Sequence, residues 1–120
     1  MRITAQTTDA ALTSEVRACR LRLADLLTTA ADMTSLTNEI AVEANRIAED
    51  EGTMQARVLV RDALAAGREP ESIVAHLQDI LLNGADDCWS GRKNDLRRAR
   101  FDGFRIEARA QIFNLRMAAL

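Results

Sequence analysis

Residues 96–120 carry two apolar stripes on one predicted helix, and this restricts the fold more than any other feature. One stripe advances in alternating steps of three and four residues and comprises Leu96, Ala99, Gly103, Ile106, Ala110, Phe113, Met117 and Leu120. At about 100° per residue, the opposite side of the same helix carries Phe101, Phe104, Ala108, Ile112 and Leu115. A surface helix needs only one apolar face. This helix therefore runs through the centre of a bundle, or packs inward with one face and onto a second chain with the other.

The composition favours helices throughout the chain. The apolar residues are mostly Ala and Leu, Pro occurs once, and Tyr is absent, which disfavours strands. With 120 residues, 48% of them apolar and 28% charged, the chain suits one compact core. We expect a single all-α domain over residues 1–120, a compact bundle of four to five helices with a long C-terminal helix.

Helical spacing and turn residues place the other elements. The first predicted helix, capped by Thr8 or Asp9, is marked by Leu12, Val16, Cys19, Leu23, Leu26 and Ala30. After a break near Asp32–Ser35, a second helix is marked by Leu36, Ile40, Ile47 and Met54. Gly52 either ends this helix or is carried within it at a cost of about 1 kcal/mol.

The clearest boundary is Gly67-Arg68-Glu69-Pro70, because Gly closes helices and Pro opens them. A short amphipathic helix follows and is expected to end at Gly84; it is marked by Ile73, Leu77, Ile80 and Leu81. The last helix begins at Asp86 or at Ser90 and continues to Leu120.

Charge and aromatic residues are distributed unevenly. Residues 1–87 hold 8 Arg and 15 acids, a net charge of −7, whereas residues 88–120 hold 8 basic residues and 3 acids, a net charge of +5. All four aromatic residues lie in the second part. The basic residues there could bind phosphates or an acidic protein surface. Intrahelical ion pairs, such as those available to Asp102 with Arg98 and Arg105, account for much of the same pattern.

The small residues Ala99, Gly103 and Ala110 on the first stripe would let a neighbouring helix approach closely. If that neighbour is another copy of the chain, the protein is a homodimer.

The sequence contains little that points to catalysis. No CxxC, HExxH, GxGxxG or GxxxxGK[ST] motif is present, so neither a metal nor a nucleotide has a recognisable site. The single histidine, His76, has no evident catalytic partners, and Cys88 and Ser90 are better explained by packing and helix capping. Trp89 is either part of the core or an interface anchor. We expect no enzyme activity, no cofactor and no metal.

No apolar run reaches the roughly 20 residues of a membrane span. The first eight residues are too polar for a signal peptide. Two widely separated cysteines, Cys19 and Cys88, are expected to stay reduced. These features predict a cytoplasmic protein without a membrane partner.

The segment CWSGRKNDLRRARFDGFR, residues 88–105, resembles the C-terminal segment of small all-α accessory proteins of bacteriophages and prophages. Such proteins are often short, non-enzymatic inhibitors of host systems, anti-CRISPR proteins among them. The resemblance implies a class of role, a protein that binds and blocks a host complex. It assigns no family site to individual residues.

We therefore expect a non-catalytic protein–protein interaction module. A homodimer through the last helix is one form that it could take. The alternative is a nucleic-acid-binding protein that uses the basic C-terminal helix. The residues expected to bind the partner are Trp89, Arg92, Lys93, Arg97, Arg98, Arg100, Phe101, Phe104, Arg105 and Arg109.

Overall fold

The computed structural model describes residues 2–13, 38–87 and 95–120, and within them the chain forms helices and turns and no strand. The all-α prediction is confirmed. The three long helices are α1 (Asn38–Ala65), α2 (Pro70–Asp87) and α3 (Asp95–Ala118). Most of the predicted first helix, the break near Asp32 and the Ser90 cap lie outside the described residues.

The start of the predicted first helix is described, and residues 9–13 are helical. Thr8 is the capping residue, because its hydroxyl oxygen accepts a hydrogen bond from the Ala11 N–H at 3.2 Å. The Thr8 carbonyl accepts the first helical hydrogen bond, from the Leu12 N–H at 3.1 Å. Of the two predicted caps, the structure therefore selects Thr8.

The turn between α1 and α2 follows the predicted Gly–Pro pattern. The N–H of Arg68 donates to the carbonyl of Ala63, and that of Gly67 donates to Leu64, both at 3.0 Å, which is the Schellman arrangement. Gly67 has a φ of 78°, a left-handed conformation that glycine adopts without steric cost. Pro70 is then the first residue of α2.

The prediction that Gly84 ends the third helix is wrong, because α2 continues through it to Asp87. A glycine within a helix costs about 1 kcal/mol but does not force termination. Glycine commonly ends a helix by adopting the left-handed conformation seen at Gly67, and among the described residues only Gly67 has a positive φ.

Helices α1 and α3 run side by side in the same direction. Their contacts keep a nearly constant offset in sequence, since Glu51 pairs with Arg100 and Arg57 pairs with Glu107. Helix α2 connects α1 to α3 in the sequence and runs in the opposite direction to both. Its first turns lie beside the last turn of α3. Residues 2–13 lie alongside the C-terminal half of α1, where Arg57 donates to the Leu12 carbonyl and Arg61 to the Thr7 carbonyl. This segment contributes Ile3 and Leu12 to the core.

The two helices approach most closely at two glycines, one on each. A Cβ built on Gly103 would overlap the carbonyl oxygen of Glu49 and lie 2.6 Å from its carbonyl carbon. A Cβ built on Gly52 would overlap the carbonyl oxygen of Arg100 and lie 2.7 Å from the amide nitrogen of Phe104. Only glycine permits such contact between two backbones. This explains why α1 carries Gly52 within an unbroken helix, which was one of the two predicted alternatives.

Polar side chains on both sides of the glycine crossing join α1 to α3. Arg100 and Glu51 form a half-exposed ion pair at 3.1 Å. The Arg57 Nε donates to the Glu107 carboxylate at 2.8 Å, and these side chains are only 8% and 13% exposed. The same carboxylate oxygen accepts a hydrogen bond from Gln111 at 3.0 Å. A second nitrogen of Arg57 donates to the Leu12 carbonyl at 3.5 Å, so this pair also holds the N-terminal segment.

Apolar side chains from all described parts form one core. Its buried members are Ile3, Leu12, Ala56, Val60, Ala63, Ile73, Val74, Leu77, Phe104, Ala108, Ile112 and Leu115. The residues predicted to mark the short helix belong to it, Ile73 and Leu77 as buried members and Ile80 and Leu81 as half-buried neighbours.

Substitution of the crossing glycines tests the backbone contact. Gly103→Ala and Gly52→Ala should each destabilise the fold by about 2 kcal/mol or more, since the added methyl group meets backbone that cannot move aside. Without that contact, the same change within a helix would stabilise by about 1 kcal/mol. Free energies of unfolding from urea titrations measure the effect. Gly67→Ala is the control: the space around Gly67 is open, so it should lose only about 1–2 kcal/mol from its backbone conformation. Equal or smaller losses at positions 52 and 103 would contradict the close crossing.

Removal of the Glu107 carboxylate tests the buried pair. Glu107→Ala should cost about 3 kcal/mol or more, because it removes the carboxylate that pairs with the buried Arg57 guanidinium. Glu107→Gln retains an acceptor and should cost less. Asp102→Ala is the matched control, since Asp102 pairs with Arg105 at 3.3 Å in a more exposed position on the same helix and such pairs contribute under about 1 kcal/mol. Similar losses of unfolding free energy for Glu107→Ala and Asp102→Ala would show that the buried pair stabilises the fold no more than the exposed pair does.

Candidate functional site

The two apolar stripes of α3 have opposite environments. The stripe of Phe104, Ala108, Ile112 and Leu115 lies in the core, with each residue at most 8% exposed. On the other side, Ile106, Phe113, Met117 and Leu120 are between 53% and 97% exposed. Helix α3 therefore packs inward with one face and leaves the other uncovered. We call Ile106, Ala110, Phe113, Met117 and Leu120 the outer stripe.

Two earlier residues of the heptad stripe do not belong to the exposed surface. Ala99 and Gly103 are buried, and Gly103 lies against the backbone of α1. The close neighbour expected at the small residues is therefore a helix of the same chain. A repeat of 3.5 residues drifts by about 20° per heptad around an α-helix. Because of this drift, the stripe does not stay against α1: Gly103 contacts α1, whereas Phe113 lies further round the helix and is exposed.

Two arginines lie along one side of the outer stripe. Arg109 and Arg116 are exposed, and within the described residues no ion pair joins either one to an acid. They are seven residues apart, or about two helical turns, and so lie on the same side of the stripe. From Gly103 onwards the only acid of α3 is Glu107, which is turned inward to Arg57. The described outer face of this half of α3 is therefore apolar and basic.

An open groove lies at the end of the outer stripe. It has a volume of about 540 Å³ and separates the first turns of α2 from the last turn of α3. Val74 and Leu115 contribute apolar atoms, Leu120 lies at its edge, and Glu71 and Arg116 supply charges of opposite sign. The groove is large enough for an apolar side chain that approaches along the stripe.

The residues predicted to bind a partner occupy several environments. Arg98 and Arg109 are exposed, whereas Arg100, Phe101 and Arg105 are half-buried. Arg100 pairs with Glu51, and Arg105 pairs with Asp102. Phe104 is only 3% exposed and belongs to the core that α1 and α2 share with α3. Trp89, Arg92 and Lys93 lie outside the described residues, as does the side chain of Arg97.

The sequence-based list of binding residues does not include the outer stripe or Arg116. The heptad repeat identified these apolar residues as one face of the helix, but periodicity alone does not show which of two apolar faces is buried. Arg116 follows Arg109 at the heptad spacing, and that spacing was the available signal for it.

Few other arrangements in the described residues suggest chemistry. No group of three or more metal-ligating side chains comes together there, and His76 is exposed on α2. Among the described helices, none has both the length and the hydropathy required to cross a membrane. No protein-family model matches this chain, and the searches of curated proteins and of solved structures found no match.

Proposed function

We propose that the protein is a non-catalytic protein–protein interaction module that occupies a partner's surface through the outer stripe of α3. In this proposal it is a single cytoplasmic domain of four to five helices, and its role is that of a phage-encoded inhibitor that blocks a host protein complex in the manner of anti-CRISPR proteins. The observation that carries the proposal is the exposure of Ile106, Phe113, Met117 and Leu120 in one row.

The size of these side chains supports a binding role. Single exposed apolar residues are ordinary on protein surfaces, but a continuous row of large ones marks an interaction site or an aggregation hazard. Complete burial of each such side chain contributes about 1.5–3 kcal/mol, so four of them could supply much of a stable complex after the costs of association.

Photocrosslinking in a host lysate tests the proposal. A photoreactive phenylalanine analogue at Phe113 should give discrete crosslinked products. The same analogue at Leu82, which is 81% exposed on α2, is the matched control and should give few. A second substitution, Met117→Gln, should remove the products formed from position 113. Light scattering on the purified protein shows whether the captured protein is a second copy, the homodimer proposed for α3. A monomer that gives the same weak background from positions 113 and 82 would refute the proposal.

The second candidate function is nucleic-acid binding, favoured by the exposure of Arg98, Arg109 and Arg116 without ion pairs in the described part of the chain. Neutralisation of three phosphates predicts that the logarithm of the affinity falls with the logarithm of salt concentration at a slope of about −2 to −3. Arg98→Glu with Arg109→Glu should weaken that binding, and Arg46→Glu, at an exposed arginine of α1, is the control. The absence of DNA or RNA binding at low salt would eliminate this candidate.

A further inference from the structure

The outer stripe has the geometry of a helix-pairing seam. Ile106, Phe113 and Leu120 occupy the d positions of a heptad, and Ala110 and Met117 occupy the a positions. A row restricted to a and d positions is the narrow seam typical of coiled coils, whereas a membrane-surface helix has a broader apolar face. From Ile106 to Met117 the seam covers about three helical turns of α3, about 16 Å, and Leu120 follows two residues after the end of the helix. A helix of similar length fits this surface.

The charges beside the seam define the partner further. Arg109 and Arg116 occupy successive g positions, where charged residues select the partner of a coiled coil. Both are exposed and without ion pairs in the described part of the chain. A partner with acids spaced by seven residues along the same side would pair with both. A nucleic acid would supply the negative charge but no apolar surface for Phe113 or Met117.

A second copy of α3 is a poor match for the same surface. In an antiparallel pair, g positions meet g positions, so Arg109 of one copy would approach Arg116 of the other. In a parallel pair, Arg109 would meet the uncharged Asn114 of the other copy. Neither arrangement supplies an acid, and the antiparallel one brings like charges together, which is destabilising.

We propose that the outer stripe binds an acidic amphipathic helix of a protein partner, with its apolar seam on Phe113 and Met117 and its acids at Arg109 and Arg116. At the Leu120 end, one apolar side chain of that helix enters the groove between α2 and α3. This inference rests on the proposed function and specifies the chemistry of the partner.

A displayed peptide library tests the proposal on the full-length protein. The probe is a library of helical peptides of about 21 residues, with apolar residues fixed at a and d and with Glu, Gln or Lys allowed at e and g. Peptides that are enriched on the wild-type protein should carry Glu along one side of the helix, at e if the peptide binds parallel to α3 and at g if it binds antiparallel. Fluorescence polarisation then gives the affinity of one enriched Glu peptide and of its Lys-substituted counterpart.

Charge exchange provides the decisive comparison. The variant with Arg109→Glu and Arg116→Glu should bind the Glu peptide about tenfold more weakly and should prefer the Lys peptide. Arg98→Glu, at an exposed arginine about 16 Å before Arg109 along α3 and beyond the beginning of the outer stripe, should change the affinity by less than about twofold. Phe113→Gln should also weaken binding about tenfold or more, and Leu82→Gln should not. Phe113 is 63% exposed, so the variant should remain folded; Met117→Gln replaces it if circular dichroism shows otherwise.

Several results would overturn the inference. The enriched peptides could show no excess of acids, or their affinity could be unchanged by substitution of Phe113 and Met117. The protein could instead form a homodimer that Phe113→Gln dissociates, or it could bind anionic vesicles in preference to every peptide. Crosslinking from position 113 together with charge-indifferent peptides would refute the acidic helix and leave the proposed function standing. The absence of both would refute the two together.

Discussion

The close contact of α1 and α3 at Gly52 and Gly103 determines the orientation of everything else in the described structure. Because the two backbones touch there, α3 can present only one side to α1. Once that side is set, the 3.6-residue period fixes which residues face α2 and which face outward. Phe104 and Ala108 are thereby buried, and Phe113 and Met117 are thereby exposed. The candidate surface is thus a consequence of two residues that have no side chain.

Polar contacts give the crossing its register. A glycine contact alone tolerates sliding of one helix along the other. The Arg57–Glu107 pair does not, since a shift would separate these two buried charges at a cost of several kcal/mol. The hydrogen bonds of Arg57 to Leu12 and of Gln111 to Glu107 extend this network to the N-terminal segment and along α3. The same pair uses the only acid in the second half of α3, which leaves Arg109 and Arg116 as the charges of the outer face.

Local sequence signals predicted the elements well and their arrangement poorly. Composition predicted the fold class, and Gly67 with Pro70 predicted the turn, because these properties depend on a few neighbouring residues. The prediction of a helix end at Gly84 was wrong because a glycine in the sequence does not by itself indicate whether its φ is positive. The roles of Gly52 and of the Arg57–Glu107 pair depend on residues about 50 positions away, which no local pattern records. For the same reason, the sequence identified both stripes of α3 but did not show which one was buried.

Thiol labelling of α3 tests the orientation of this helix most directly. The two native cysteines are first replaced by serine, and single cysteines are then introduced at Ala108, Leu115, Ile106 or Phe113. Cysteines at the buried positions 108 and 115 should react with a thiol reagent at least about a hundredfold more slowly than those at positions 106 and 113. The reason is that the buried cysteines react only after local or global unfolding. Circular dichroism confirms that each variant is folded. Rapid labelling at Ala108 with protection at Phe113 would show that the opposite stripe faces solvent and would contradict the account.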